Sequence, residues 1–250
     1  VEKLNLMGNT MIQNFPQKGI FTDLFFANDR NMLYVGICVP AGNAYRAENF
    51  IFSKNAFTEN RLSLADMPRV IAASSEAFGR AFSGEAYIQN VSKSFWVPAI
   101  VMALPFQKNA DGSVASVVFG YLKLDKFLQA FQTRDIFETF MVNSGGDIIA
   151  HPDSKVVLSH GNFINLPIVE EMLKSKLDNG QKRYRDAAGA YQLGSFKKIG
   201  IGGLGVISTV SEEKAFKAVY QIRKRNLLIM IIVLTLAVLI VYFFSKTITT

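Results

Sequence analysis

The 250 residues carry 27 Lys and Arg against 20 Asp and Glu, a formal net charge of +7, with half the residues hydrophobic and a single cysteine. One cysteine excludes an internal disulfide, and this hydrophobic content excludes a disordered chain. The basic residues are scattered rather than gathered into a stripe, which argues against a nucleic-acid partner. Their local excess, at Lys182, Arg183, Arg185, Lys197, Lys198 and Arg223 to Arg225, fits attraction to anionic lipid headgroups instead. Cys38 lies in an apolar run and is expected to be an inert buried side chain.

Residues 1–18 have weak helical spacing at Leu4, Met7, Met11 and Phe15 and are expected to be the tail of a helix. Two β-rich runs, 21–27 and 33–39, flank Asn28-Asp29-Arg30-Asn31 and predict a hairpin. Residues 40–63 are irregular and polar-aromatic, the pattern of a long loop. Asp66 is expected to cap a helix with Pro68 in its first turn, an apolar face from Met67 to Phe82, and Gly84 as its stop. Strands follow at 86–91, 98–106 and 113–124, the last two joined by the turn Asn109-Ala110-Asp111-Gly112. The order predicts a five-stranded antiparallel sheet with helices to one side.

A second copy of the plan follows. A turn at Gly145-Gly146 joins strands at 139–144 and 147–151; a helix is expected at 166–176 and strands at 181–186, 190–198 and 204–210. From Ser211 to Phe244 there is no Gly or Pro, which predicts one rod about 50 Å long. Its first turn is acidic, as the helix dipole favours. Within it residues 227–244 read LLIMIIVLTLAVLIVYFF, roughly 27 Å of uncharged helix, the length of a membrane span. Arg223, Lys224 and Arg225 precede this run and Lys246 follows it. That bias alone would put the folded part inside, but large domains cross largely regardless of charge. A chain that starts at Val1 without a Met and stops just past such a run is expected to be a piece of a longer protein.

The residues MVNSGGDIIAHPDSKVV (141–157) and GSFKKIGIGGLGVISTVSEEKAF (194–216) resemble the membrane-proximal module of double Cache sensor domains. SGEAYIQNVSKSFWVPAIVMALPF (83–106) and GSVASVVFGYLKLDKFL (112–128) resemble the membrane-distal module, and SKTITT (245–250) is similar to the start of a HAMP linker. The resemblance implies an α+β fold of two PAS-like modules, each an antiparallel sheet with flanking helices. The distal module would occupy 1–134, the proximal module 135–210, a connecting helix 211–226, the membrane helix 227–244 and the linker 245–250. It further implies the extracytoplasmic sensor of a bacterial receptor, with a small ligand on the distal module and a chemotaxis, histidine kinase or nucleotide cyclase output in the cytoplasm. The amino-acid-binding pattern is missing. MPRVIAASSEAFGRAF (67–82) has no Trp-Tyr pair, Gln89 stands where an Asp is expected, and GYLK (120–123) lacks the second acid, so a generic amino-acid ligand is disfavoured.

Arg80, Tyr87, Ser94, Trp96 and Tyr121 are the candidate ligand-binding residues, a set that suits a small carboxylate or other anion. Tyr45 and Arg46 are weaker candidates. His151, Asp153 and His160 are considered as metal ligands and set aside as a structural strand end. GIGGLG (200–205) spells a dinucleotide fingerprint, yet leads into a strand rather than a helix and is rejected. No catalytic arrangement, metal or cofactor is expected. The partners expected are a small-molecule ligand, the membrane and a second copy of the chain. The location expected is the cytoplasmic membrane with the folded part outside. The alternative is an anchored module that senses through a partner protein without signalling across the bilayer.

Overall fold

Runs in which successive side chains point to opposite faces assemble two antiparallel sheets of five strands each. The structure, a computed structural model, describes residues 1–12, 18–131, 136–159 and 161–249, with side chains described as far as residue 239 of the last helix. The first sheet comprises Met32–Ala41 (β1), Ala44–Phe52 (β2), Tyr87–Asn90 (β3), Ala99–Lys108 (β4) and Val114–Lys123 (β5), in the order β2-β1-β5-β4-β3. The second comprises Glu138–Val142 (β6), Ile148–Ala150 (β7), Asn179–Arg185 (β8), Tyr191–Lys198 (β9) and Gly205–Ser211 (β10), in the order β7-β6-β10-β9-β8. With the helices on their faces the fold is α+β, as expected.

Both faces of the first sheet are covered. Leu4, Met7 and Met11 of Glu2–Ile12 (α1) and Phe26 of Lys18–Asn28 (α2) pack on Met32, Val35, Ile37 and Val118. On the other face lie Lys54–Glu59 (α3), Met67–Ala73 (α4), Ser75–Phe82 (α5) and Ser92–Phe95 (α6). From them Phe57, Val70, Phe78 and Phe95 meet Tyr34, Val101, Phe119 and Tyr121 of the strands. Each such buried aromatic contributes about 2 kcal/mol by leaving water.

Four sequence expectations fail here. Residues 21–27 belong to helix α2, not to a strand, because Phe26 is buried against α1 and the sheet; packing overrides the β propensity of the aromatic run. The partner of β1 is therefore β2, inside the segment expected to be a loop. Gly42, at φ 63, and Asn43 turn the chain so that Ala41 pairs with Ala44. The helix expected from 66 to 82 is two helices, α4 and α5, meeting at Ser74 (φ −92, ψ 13). Asp66 makes no side-chain cap; Ser63 instead caps the 3-10 turn Leu64–Asp66, accepting the Ala65 N–H at 3.2 Å.

Asp125–Phe131 (α7) follows β5; in the second sheet Ser154–Leu158 (α8) is capped by Asp153, and Pro167–Lys174 (α9) buries Ile168, Val169 and Met172. The two sheets share one buried cluster, in which Ile88, Ile100, Leu124 and Leu128 meet Phe140, Ile148, Val157 and Ile207.

Beyond β10 the chain forms one helix, Glu212–Thr249 (α10), 38 residues long. Ser211 Oγ accepts the Lys214 N–H at 3.3 Å, and Arg183 of β8 grips Glu212 through two hydrogen bonds of 2.7 and 3.1 Å. Among the described residues no helix is long and apolar enough to cross a membrane. The span expected over 227–244 is thus not found there. The described apolar side chains run only from Leu227 to Leu239, about 20 Å of helix against roughly 30 Å of hydrocarbon. The rest of that expectation, and the linker expected at 245–250, fall outside the described side chains.

Candidate functional site

The break in chain direction after α3 opens a cleft over the first sheet. Asn60 ends that helix, Arg61 takes the left-handed conformation (φ 54), and the Leu62 N–H donates to Phe57 O at 2.8 Å. The backbone then passes through Ser63 and Asp66 into α4. The facing wall is α6, which ends at Trp96, also left-handed (φ 59). Between them lies a cleft of about 260 Å³, with Arg61, Asp66, Arg69, Ser94 and Trp96 around its rim and Met67, Val70 and Phe95 as its apolar floor.

Arg69 reaches across, its Nη2 donating to Ser94 O at 3.4 Å. Among the described residues neither guanidinium has an ion-pair partner, and Asp66 has none either. Two guanidinium groups against one carboxylate leave the cleft positive, and the planar fork of Arg suits a carboxylate or phosphate oxygen pair. Trp96, 73% exposed, offers a ring face at the mouth.

The floor is held from below. Ser74 Oγ donates to Val70 O at 2.8 Å and accepts from the Tyr121 hydroxyl at 2.9 Å. The Tyr121 ring meets Phe95 edge-on at 5.1 Å, and its burial pushes the phenol well above its ordinary range. Tyr121 is fully buried, so it supports the cleft and does not line it.

Of the five residues expected from sequence, Ser94 and Trp96 come together in the cleft, and Tyr121 lies beneath it. Arg80 and Tyr87 are elsewhere. Arg80, on α5, pairs with Glu85 at 3.6 Å and stands 5.6 Å over the Tyr87 ring. Tyr87 donates its hydroxyl to Glu76 at 2.9 Å and accepts from Asn143 of the second sheet at 3.2 Å. Burial, then the Glu76 hydrogen bond, push its phenol up. Tyr45 is packing, stacked on Phe82 at 5.4 Å, and Arg46 pairs with Glu48 at 3.2 Å.

Arg61, Asp66 and Arg69 were not singled out by sequence. In the sequence Asp66 reads as a helix cap; Arg69 is the one charged residue in the apolar helix MPRVIAA, and that is the available signal. His151 is buried, its Nδ1 accepts the Asp153 N–H at 3.0 Å, and its Nε2 lies 3.4 Å from Glu138; His160 lies outside the described residues. Among the described residues no group of three or more His, Cys, Asp or Glu is placed to hold a metal. Cys38 is fully buried, and burial pushes its thiol up to about 12, which leaves it unreactive.

No protein-family model matches the chain, and no curated protein sequence matches it. Solved structures do share its fold. The periplasmic sensory domain of the Campylobacter jejuni chemoreceptor Tlp1 aligns with a TM-score of 0.52 at 12% identity, over 86% of this chain and 87% of that one. The extracellular domain of mmHK1S-Z3, named as a histidine kinase, gives 0.52 at 12% identity over 81% of both chains. An extracellular ligand binding receptor from Desulfohalobium retbaense gives 0.53 at 14% identity, covering 84% of this chain and 36% of its own length. The chain shares the fold of these periplasmic and extracellular sensory domains.

Proposed function

We propose that the chain is the extracytoplasmic ligand-sensing part of a transmembrane receptor, with a small organic anion as its ligand. The observation that carries this is the cleft on the first sheet, where two guanidinium groups without an ion-pair partner among the described residues, Arg61 and Arg69, stand over an apolar floor beside Trp96. An anion there exchanges its water for charge-assisted hydrogen bonds, while its apolar part rests on the floor. The sensory fold of the structural relatives supports the same reading.

In this reading residues 1–134 form the ligand-binding module and 135–210 the module that passes its state to α10. Residues 227–244 cross the membrane, leading to a cytoplasmic output of the chemotaxis, histidine kinase or cyclase kind, and the working unit is a pair of chains. The exposed Trp96 gives the second reading its one support, a protein partner docking over the cleft mouth.

The test is a melting-temperature screen of the full chain in detergent against small carboxylates and phosphates. A true ligand raises the melting temperature saturably by mass action. Arg69→Ala is expected to weaken that ligand about tenfold, the loss of a charge-assisted pair. An equal shift in Arg69→Ala, or no stabilising anion at all, would contradict the reading.

A further inference from the structure

Strand β3 connects the cleft to the second sheet through alternate side chains. Its Gln89 fills the break between α4 and α5: Oε1 accepts the Ala77 N–H at 3.0 Å and Nε2 donates to Ala73 O at 3.1 Å. That braces the helix carrying Arg69. Asn90, only 2% exposed, points the other way. Its Oδ1 accepts the Ser92 N–H at 2.9 Å, fixing the first residue of α6, the opposite cleft wall. Its Nδ2 donates to Ile148 O at 2.7 Å and to Val157 O at 2.9 Å, in β7 and α8 of the second sheet. Tyr87 adds a second crossing, from Glu76 on α5 to the fully buried Asn143.

The glycine run 200–205 closes the same seam. Gly202 and Gly203 turn at φ 62 and 63, and a Cβ on Gly202 would lie 2.8 Å from Ile88 Cγ1. The motif that spells a nucleotide fingerprint is therefore a close-packing device between β3 and the loop entering β10, the strand that continues into α10.

We infer that β3 is the coupling strand of the molecule, and that Asn90 and Tyr87 carry the state of the cleft to the second sheet. Both cleft walls and both second-sheet elements end on these few side chains, all satisfied by direct hydrogen bonds. Movement of α6 must then either move β7 and α8 or break a buried hydrogen bond of Asn90, which costs about 1–3 kcal/mol. Such coupling needs a cleft whose occupancy changes its walls, so it rests on the functional reading above.

The test fills the cleft without needing the natural ligand. Ser94→Cys in the full chain in detergent is alkylated with monobromobimane, which spares buried Cys38, and amide hydrogen exchange is followed by mass spectrometry. Labelling is expected to change exchange at 60–70 and, by about threefold or more, at 148–157. In Asn90→Ala the change at 60–70 remains and that at 148–157 is lost. Tyr87→Phe, which removes a hydroxyl and no packing, reduces the change at 148–157 and keeps the test decisive should Asn90→Ala not fold. Unchanged exchange at 148–157 on labelling, or a response there equal in native, Asn90→Ala and Tyr87→Phe backgrounds, would overturn the inference. The two readings fail separately. Lack of any stabilising anion refutes the ligand, and a silent second sheet refutes the coupling.

Discussion

Laid on one another by strand order, β2-β1-β5-β4-β3 and β7-β6-β10-β9-β8 are the same plan, yet the helix layer is open over the first sheet and closed where α9 covers the second. Above the first, α3, α4 and α6 are short, left-handed residues at 61 and 96 follow α3 and α6, and the three helices stand apart around a cleft of about 260 Å³. Above the second, α9 lies directly on glycines: a Cβ on Gly194 would come 2.8 Å from Ile168 Cγ1, and one on Gly205 would run into Met172 Sδ. The sheet provides the frame in both; what the helix layer leaves open decides where a cleft forms. The second sheet, closed under α9, is suited to passing on a displacement, since close-packed interiors transmit strain.

The largest effect expected from this contrast is at the second sheet. Gly205→Val forces α9 off β10 and should cost about 3 kcal/mol in denaturant unfolding, the penalty of overpacking. A change under about 0.5 kcal/mol would mean that this sheet also has slack. Gly202→Ala comes next, because it strains a positive φ and crowds Ile88 at the seam; about 1.5 kcal/mol is expected. Tyr121→Phe removes the hydroxyl bond to Ser74 under the cleft floor and should cost about 1 kcal/mol, measured by thermal melting.

How much of this could be read in the chain depends on where the determinant was local. Strands β4 to β10 follow from alternation and glycine turns such as Gly112 and Gly189, each at positive φ. Helix α2 did not, since its aromatic run obeys packing against α1 rather than propensity. Strand β2 was missed although Gly42-Asn43 is a two-residue hairpin signal. Among site residues Ser94 and Trp96 were legible as a polar-aromatic loop between strands. Arg61 and Arg69 were not, because they meet α6 only through tertiary folding. Tyr87 lies at the seam between the sheets rather than in the cleft, because its tertiary partners are Glu76 and Asn143.

The smallest effect expected is electrostatic and lies where the second sheet meets α10. The His151 Nε2 hydrogen bond, opposed by partial burial and helped by the charge of Lys214, holds the Glu138 carboxyl below the usual range. A folded-state value below the unfolded one stabilises above the unfolded value and is lost as pH falls through the folded one. Stability should therefore decline below about pH 4.3, and Glu138→Gln should flatten a small part of that slope. Its side chain is 60% exposed, so solvent screens most of the pair. An unaltered acid limb in Glu138→Gln melts would remove this contact from the account.

The contrast between the open and the closed helix layer is tested most directly by the hydrogen-exchange footprint of the best stabilising anion on the full chain. Protection should be strongest at residues 60–70 and 92–97 and absent from α9. Strongest protection on α9, or a footprint that leaves 60–70 and 92–97 untouched, would contradict the account.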